Sequence, residues 1–361
     1  MSRIGELGFW QREILMAAKR VGILTGGGDC PGLNAVIRGI VRKGITYYDY
    51  EIEGVLEGWR GMLDCLSRPL DLGSVSGILH RGGTILGTSR TNPFKEGDNG
   101  GEAVAEGMKK MGLDALIAIG GDDTLGVAHK LTLQGLSVVG VPKTIDNDLF
   151  GTDQTFGFDT AINIVMEAID RLHTTAESHN RVMVVEVMGR HAGWIAVEAG
   201  IAGGADIVLI PETPFDLDEV CATIKKRHSR GKTFSIVVVA EGAKLADDSF
   251  VLQTQEKDAF GHVRLGGIGN LLSDEIEKRT GYESRATVLG HVQRGGSPTA
   301  FDRVLGTRFG IAAIDLVQAG NFGKMVALKG TDIVAIDLKD AVSQLRTVDM
   351  GLYDIAKVFY G

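Results

Sequence analysis

Residues 115–148, ALIAIGGDDTLGVAHKLTLQGLSVVGVPKTIDND, decide the fold. They contain two apolar runs, Ala115 to Ile119 and Ser137 to Pro142, separated by a helix-length segment. Each run ends in a polar turn: Gly120-Gly121-Asp122-Asp123-Thr124 after the first, Lys143-Thr144-Ile145-Asp146-Asn147-Asp148 after the second. Short Val/Ile/Leu runs without alternation predict strands buried on both faces, as in a parallel sheet. With the helix between them they form a βαβ unit, so both turns emerge at one carboxyl edge. Open α/β sheets bind their ligands at that edge. Carboxylates, an ammonium group and a glycine pair converge there, a composition suited to a metal ion and phosphate.

The bounds around this stretch are those of an ordinary globular protein. At 361 residues, 44% hydrophobic and 23% charged, the chain can bury a large core, and its length predicts two domains. Glycine stands out: its 51 residues are about twice the usual share, and many directly follow apolar runs, where backbone can approach a ligand. A net charge of -8 argues against a general nucleic-acid or membrane-surface role, so an anion site must be a local cationic cluster. The three cysteines, Cys30, Cys65 and Cys221, have no metal-ligand spacing and imply a reducing compartment. With no apolar run of membrane-span length and no signal-peptide pattern, the expected location is the cytoplasm.

Outward from the deciding stretch, the βα theme repeats. Residues 1–18 do not join the pattern and read as a peripheral extension, with Met16 resembling a natural start. Val21 to Thr25 predicts a first buried strand, ending in Gly26-Gly27-Gly28-Asp29-Cys30-Pro31-Gly32 ahead of a helix. Such a turn can present N–H groups and a helix dipole to an anion, or be only a tight turn. It is neither a dinucleotide fingerprint nor a Walker A loop. Gly157 to Leu172 predicts a helix with Asp159 or Thr160 as its cap. Strands are expected at 182–187, 206–210, 234–240 and 284–289, with one more near 326–329 or 332–336. A second α/β domain thus begins near residue 158.

Two constellations carry chemistry. Asp146 and Asp148, two apart in an extended loop, can point to one side; one can take a proton while the other stays ionised. Asp122, at the neighbouring strand end, can hold Mg²⁺ directly or through water. Phosphoryl transfer to an alcohol needs this assortment, although single aspartates more often cap turns. The second constellation is Arg90, Arg181, Arg190, Arg285, His291 and Arg294. Arginine suits bidentate phosphate binding. Arg190, His291 and Arg294 follow strand ends in glycine-containing turns. Arg181 and Arg285 sit at strand starts, so they are structural or reach the site of a neighbouring subunit.

The stretches GILTGGGDCPGLNAVIRG, IGGDDT, PKTIDND, FGFDTA, EVMGRHAGWIA, AEGA and RATVLGHVQRGGSPTAFDR, in this order, resemble the 6-phosphofructokinase family from about Lys19 onward. The resemblance implies two Rossmann-like α/β domains with mostly parallel sheets and an active site in the cleft between them. It implies a donor domain of 19–157 plus about 271–320, and a sugar-phosphate domain of 158–270 plus about 321–361. It implies a glycolytic Mg²⁺-dependent transfer to fructose 6-phosphate, with Asp146 as the base, Thr144 and Asp148 assisting, Asp122 on the metal, and Arg190 stabilising the transferring group. Gly27, Gly28, Arg90, Asp123, Thr124 and Lys143 would face the donor. Thr144, Asp146, Met188, Gly189, Arg190, Glu241, His291 and Arg294 would face the sugar phosphate, with Arg181 and Arg285 supplied by the partner of a homo-oligomer, dimer or tetramer. Asp123 and Lys143 replace residues usual in ATP-dependent bacterial members and match the pyrophosphate-dependent ones. An Asp123 carboxylate repels an ATP α-phosphate and fills its space, while Lys143 adds charge for pyrophosphate. The alternatives are an ATP-dependent 6-phosphofructokinase and, more remotely, a non-catalytic sugar-phosphate sensor.

Overall fold

The computed structural model describes residues 20–95, 100–246 and 265–360, so the expected extension over residues 1–18 lies outside the described residues. In chain order the first half runs β1 (Arg20–Thr25), α1 (Leu33–Tyr48), β2 (Glu51–Val55), α2 (Trp59–Asp64), β3 (Ser67–Leu70), α3 (Gly100–Met111), β4 (Ala115–Gly120), α4 (Asp122–Leu133) and β5 (Val138–Pro142). The second runs α5 (Phe158–His179), β6 (Val182–Val187), α6 (Trp194–Ala202), β7 (Ile207–Leu209), α7 (Leu217–Ser229), β8 (Ser235–Ala240), α8 (Ile268–Thr280) and β9 (Ser284–Val288). The remainder comprises α9 (Ala300–Gln318), β10 (Lys324–Lys329), β11 (Asp332–Asp337), α10 (Leu338–Ala341) and α11 (Met350–Lys357).

These strands form two sheets. The larger has the order β11-β10-β5-β4-β1-β2-β3 and the smaller β7-β8-β6-β9. The smaller sheet is parallel throughout, and only β3 and β11, at the edges of the larger, run antiparallel to their neighbours. In β4 and β5 every residue is buried, as unalternating apolar runs require. Among the described residues no helix is long and apolar enough to cross a membrane.

Three apolar layers hold the sheets. Leu24, Leu116 and Ala118 of the larger sheet pack with Trp59, Met62, Leu125 and Leu131 on one face. On its other face Val21, Ile23 and Ile117 join Val36, Ile40, Phe309 and Ile314 of α1 and α9. That layer continues through Phe156 and Phe158 into Val165, Ile169, Val185 and Ile236, so one core spans both lobes. Val184, Val237, Ile224, Leu272 and Ile276 close the outer face of the smaller sheet. The α1–α9 crossing depends on glycine: a Cβ on Gly310 would fall 2.3 Å from the Val36 carbonyl oxygen.

Two expectations are corrected. The division at about 271–320 and 321–361 does not follow the sheets: β9 pairs with β6 in the smaller sheet, whereas β10 and β11 join the larger beside β5. The reason is α9, which docks on α1 and returns the chain to the larger sheet before β10 begins. The start of α5 is also different. Its N-cap is Gly157, at φ 94° with no side-chain cap, because Thr160 bonds Asp302 instead and Asp159 accepts from Thr299.

Candidate active site

The carboxyl ends of β1, β4 and β5 are tied together by their own backbone. Gly26 N donates to Ile119 O and Lys143 N to Gly120 O, each at 2.9 Å. Thr124, in the first turn of α4, fills the angle between these ends. A Cβ on Gly26 would lie 2.5 Å from its Oγ1, and one on Gly120 would lie 2.3 Å from its Cβ. The glycines therefore make room for Thr124. The head of α4, carrying Asp122 and Asp123, faces the same space.

That space is a pocket that opens to solvent. Its lining unites Gly27, Gly28, Arg90, Gly121, Asp122, Asp123, Thr124, Lys143, Thr144, Asp146, Asp148, Arg190 and Arg294. The turn holding the paired carboxylates is rigidly built. Asp146 N donates to Thr144 Oγ1 at 3.0 Å, Thr155 Oγ1 to Thr144 O at 2.8 Å, and Thr155 N to Asn147 Oδ1 at 3.1 Å. Asn147 takes a left-handed conformation, φ 53°, which reverses the chain between the two aspartates. Asp146 is 4% exposed, and its Oδ1 is buried with no hydrogen-bond partner. Burial first, and the Asp146 charge second, raise the Asp148 carboxyl well above the ordinary carboxylate range.

Lys143 is not simply aimed at the pocket. Its buried ammonium donates to the Gly28 carbonyl, and burial holds its pKa below the usual lysine value. Arg294 Nη1 donates to the Asp29 carbonyl at 3.3 Å, so two cations grip the glycine-rich turn. Cys30 in that turn is inert: burial pushes its thiol up to about 12.

The smaller sheet delivers the opposite wall. After β6, Gly189 at φ 144° and Arg190 at φ 51° turn the chain sharply. Arg190 N donates to Glu241 Oε1 at 3.2 Å. Burial, then the charge of Asp146, pushes the Glu241 carboxyl up to about 7. Met188, Gly189, Glu241 and His291 lie on neighbouring turns but do not line the pocket itself. Arg181 and Arg285 lie away from it. Both pair with Glu283, at 2.8 and 2.5 Å, at the opposite ends of β6 and β9.

Sequence reasoning missed Gln293. It is fully buried, accepts from Met188 N at 3.3 Å and donates to Gly290 O at 3.1 Å, locking the 3-10 turn that presents Arg294 onto the end of β6. A glutamine beside an arginine in a glycine-rich loop carries no signal of burial. Among the described residues no three His, Cys, Asp or Glu side chains close on one metal position. The pocket nevertheless fits Mg²⁺: it offers hard carboxylate oxygens, one of them buried and unpartnered, and that ion usually completes its shell with water and substrate phosphates.

The chain matches the phosphofructokinase family over residues 20–317. It is 62% identical over 342 residues to a pyrophosphate--fructose 6-phosphate 1-phosphotransferase of Amycolatopsis methanolica, covering 95% of this chain and 100% of that one. It is 54% identical over 334 residues to ATP-dependent 6-phosphofructokinase 3 of Streptomyces coelicolor, covering 92% and 98%. Among solved structures, the phosphofructokinase of Pichia pastoris in the T-state superposes with a TM-score of 0.80 at 32% identity, covering 95% of this chain and 36% of that one. A pyrophosphate-dependent phosphofructokinase of Nitrosospira multiformis gives a TM-score of 0.80 at 22% identity, covering 92% and 86%, a likeness of fold.

Proposed function

This chain belongs to the phosphofructokinase family, and from that premise we propose that it transfers a phosphoryl group from pyrophosphate to the 1-hydroxyl of fructose 6-phosphate, reversibly, in glycolysis and gluconeogenesis. The observation that carries the reading is one pocket whose lining unites Asp146, with its unpartnered carboxylate oxygen, the cations Lys143, Arg190 and Arg294, and Asp122 and Asp123 at the head of α4.

In this reading Asp146 accepts the proton of the attacking hydroxyl, and its lack of a competing hydrogen bond leaves that oxygen available. Arg190 offsets charge developing on the transferring group. Thr144 and Asp148 shape the turn around it. Glu241, Met188, Gly189, His291 and Arg294 hold the sugar and its 6-phosphate. The donor lies along Gly27, Gly28, Arg90, Asp123, Thr124 and Lys143. Asp122 would hold Mg²⁺, with Asp146 and Asp148 near it. When bound, the ion supplies charge neutralisation on the donor phosphates. The larger-sheet lobe is thus the donor lobe and the smaller-sheet lobe the sugar lobe.

Asp123, in the first turn of α4, argues for the smaller donor: a carboxylate there repels and obstructs the α-phosphate of a nucleotide. ATP is the second reading, favoured by the ATP-dependent relative at 54% identity. Arg181 and Arg285, held by Glu283 far from the pocket of their own chain, act in the site of a neighbouring copy, so the working form is a homo-oligomer. Three free cysteines accord with a cytoplasmic location.

Phosphorus NMR tests this reading. With Mg²⁺, pyrophosphate and fructose 6-phosphate, signals of orthophosphate and a new sugar 1-phosphate should rise in equal amounts, and added orthophosphate should reverse them. Orthophosphate without the sugar signal would mean simple hydrolysis and would overturn the proposal.

A further inference from the structure

The C-terminal segment between α10 and α11 crosses both lobes beside the pocket. Leu345 pairs with Leu149 in an isolated antiparallel bridge. Arg346 N donates to Asp148 O at 2.8 Å, and Arg346 Nη1 donates to Asn147 O at 3.1 Å. The same guanidinium lies over the ring of Trp194, 4.0 Å from its centroid, and Trp194 Nε1 donates back to Arg346 O at 3.1 Å. Two residues on, Val348 N donates to Glu212 Oε1 at 2.9 Å, and that carboxylate also accepts from Gly193 N at 2.9 Å. Asn147 and Asp148 belong to the turn of Asp146. Gly193 and Trp194 open α6, directly after the turn of Arg190.

We infer that residues 345–348 are a strap, with Arg346 as its positioning residue, that fixes the turn of Asp146 on one lobe against the turn of Arg190 on the other. Arg346 touches no reacting atom in this arrangement. It acts through the carbonyls of Asn147 and Asp148, which sit on either side of the left-handed reversal at Asn147. Loss of the Nη1 donor leaves the Asn147 carbonyl without that partner and frees the reversal to relax. A displacement of about 1 Å at a reacting group costs on the order of a hundredfold in rate. The planar guanidinium stacks on the indole and donates in its own plane at once, which an ammonium does not, so lysine is only a partial substitute. The effect on turnover rests on the phosphotransferase reading; the mechanical effect does not.

The test uses the full chain with Arg346→Met, which keeps an apolar stem over Trp194 and the backbone N–H but removes the guanidinium donors. Per folded site, kcat should fall about tenfold or more while the fructose 6-phosphate KM changes less than twofold. Arg346→Lys, which retains a donor, should recover part of the loss. Amide hydrogen exchange of Arg346→Met should quicken at both 145–149 and 190–195. Unchanged kcat in a folded Arg346→Met protein, or quickened exchange confined to 345–348, would overturn the strap. If the parent chain itself turns over neither donor, the functional reading fails, and the exchange pattern still decides the strap.

Discussion

Replacing Asp146 with asparagine separates chemistry from the pH dependence of stability. The side chain keeps its size, and the Asp146 N–H bond to Thr144 Oγ1 belongs to the backbone and survives. Loss of a general base lowers kcat by about 10²–10⁴-fold. Stability should change in its pH dependence. Burial and then the Asp146 charge raise the carboxyls of both Asp148 and Glu241. The displacement of Glu241 to about 7 corresponds to roughly 3 kcal/mol. Burial is the larger cause, so Asp146 accounts for only a smaller share of that. Because these groups titrate higher when folded, the native state binds more protons than the unfolded chain between about pH 4 and 7 and loses stability as pH rises through that window. Asp146→Asn removes part of that loss, so its gain is absent below about pH 4 and full above about pH 7. Paired measurements of kcat and of thermal melting at pH 5 and pH 8 read both effects. A kcat within threefold of the parent, or a melting-temperature shift relative to the parent no more favourable at pH 8 than at pH 5, would refute the reasoning.

Three further outcomes follow from separate parts of the molecule. Gly310→Ala places a methyl group 2.3 Å from the Val36 carbonyl oxygen, so α1 and α9 must part; overpacking should cost about 1–3 kcal/mol in denaturant unfolding despite alanine's better helix propensity, and a gain in stability would contradict it. Asp302, pushed up to about 6 by burial, should make the parent lose roughly 3 kcal/mol relative to Asp302→Asn as pH rises from 4 to 7; parallel unfolding curves at both pH values would show that its ionisation is not coupled to folding. Asp123→Gly should raise kcat/KM for ATP at least about tenfold and lower that for pyrophosphate, and an unchanged donor ratio in steady-state kinetics would remove Asp123 as the gate.

The sheet edge was legible because its physics is local. Unalternating apolar runs such as 115–119 and 138–142 have few other ways to be buried, and the polar turns after them had to meet on one side. The edges of the sheet were less readable. β3 contains Pro69, which a central strand excludes but an antiparallel edge tolerates. One strand was expected near 326–329 or 332–336, yet Gly330 at φ 58° closes both into a hairpin whose outer member, apolar over 333–336, stays largely exposed. Interactions between distant residues left the least trace. Lys143 was expected to face the donor, but it also holds the Gly28 carbonyl, an acceptor that every residue carries. Arg346 lies outside every motif, because its partners are the backbone carbonyls of a loop almost two hundred residues away.

The central claim, that this pocket takes its phosphoryl group from pyrophosphate, is tested most directly by initial rates of fructose 1,6-bisphosphate formation. Pyrophosphate and then ATP would be the sole donor at matched Mg²⁺. Nucleotide-free turnover with pyrophosphate and negligible turnover with ATP is the expected result. Faster turnover with ATP would contradict it, because the Asp123 carboxylate would then not keep a nucleotide out.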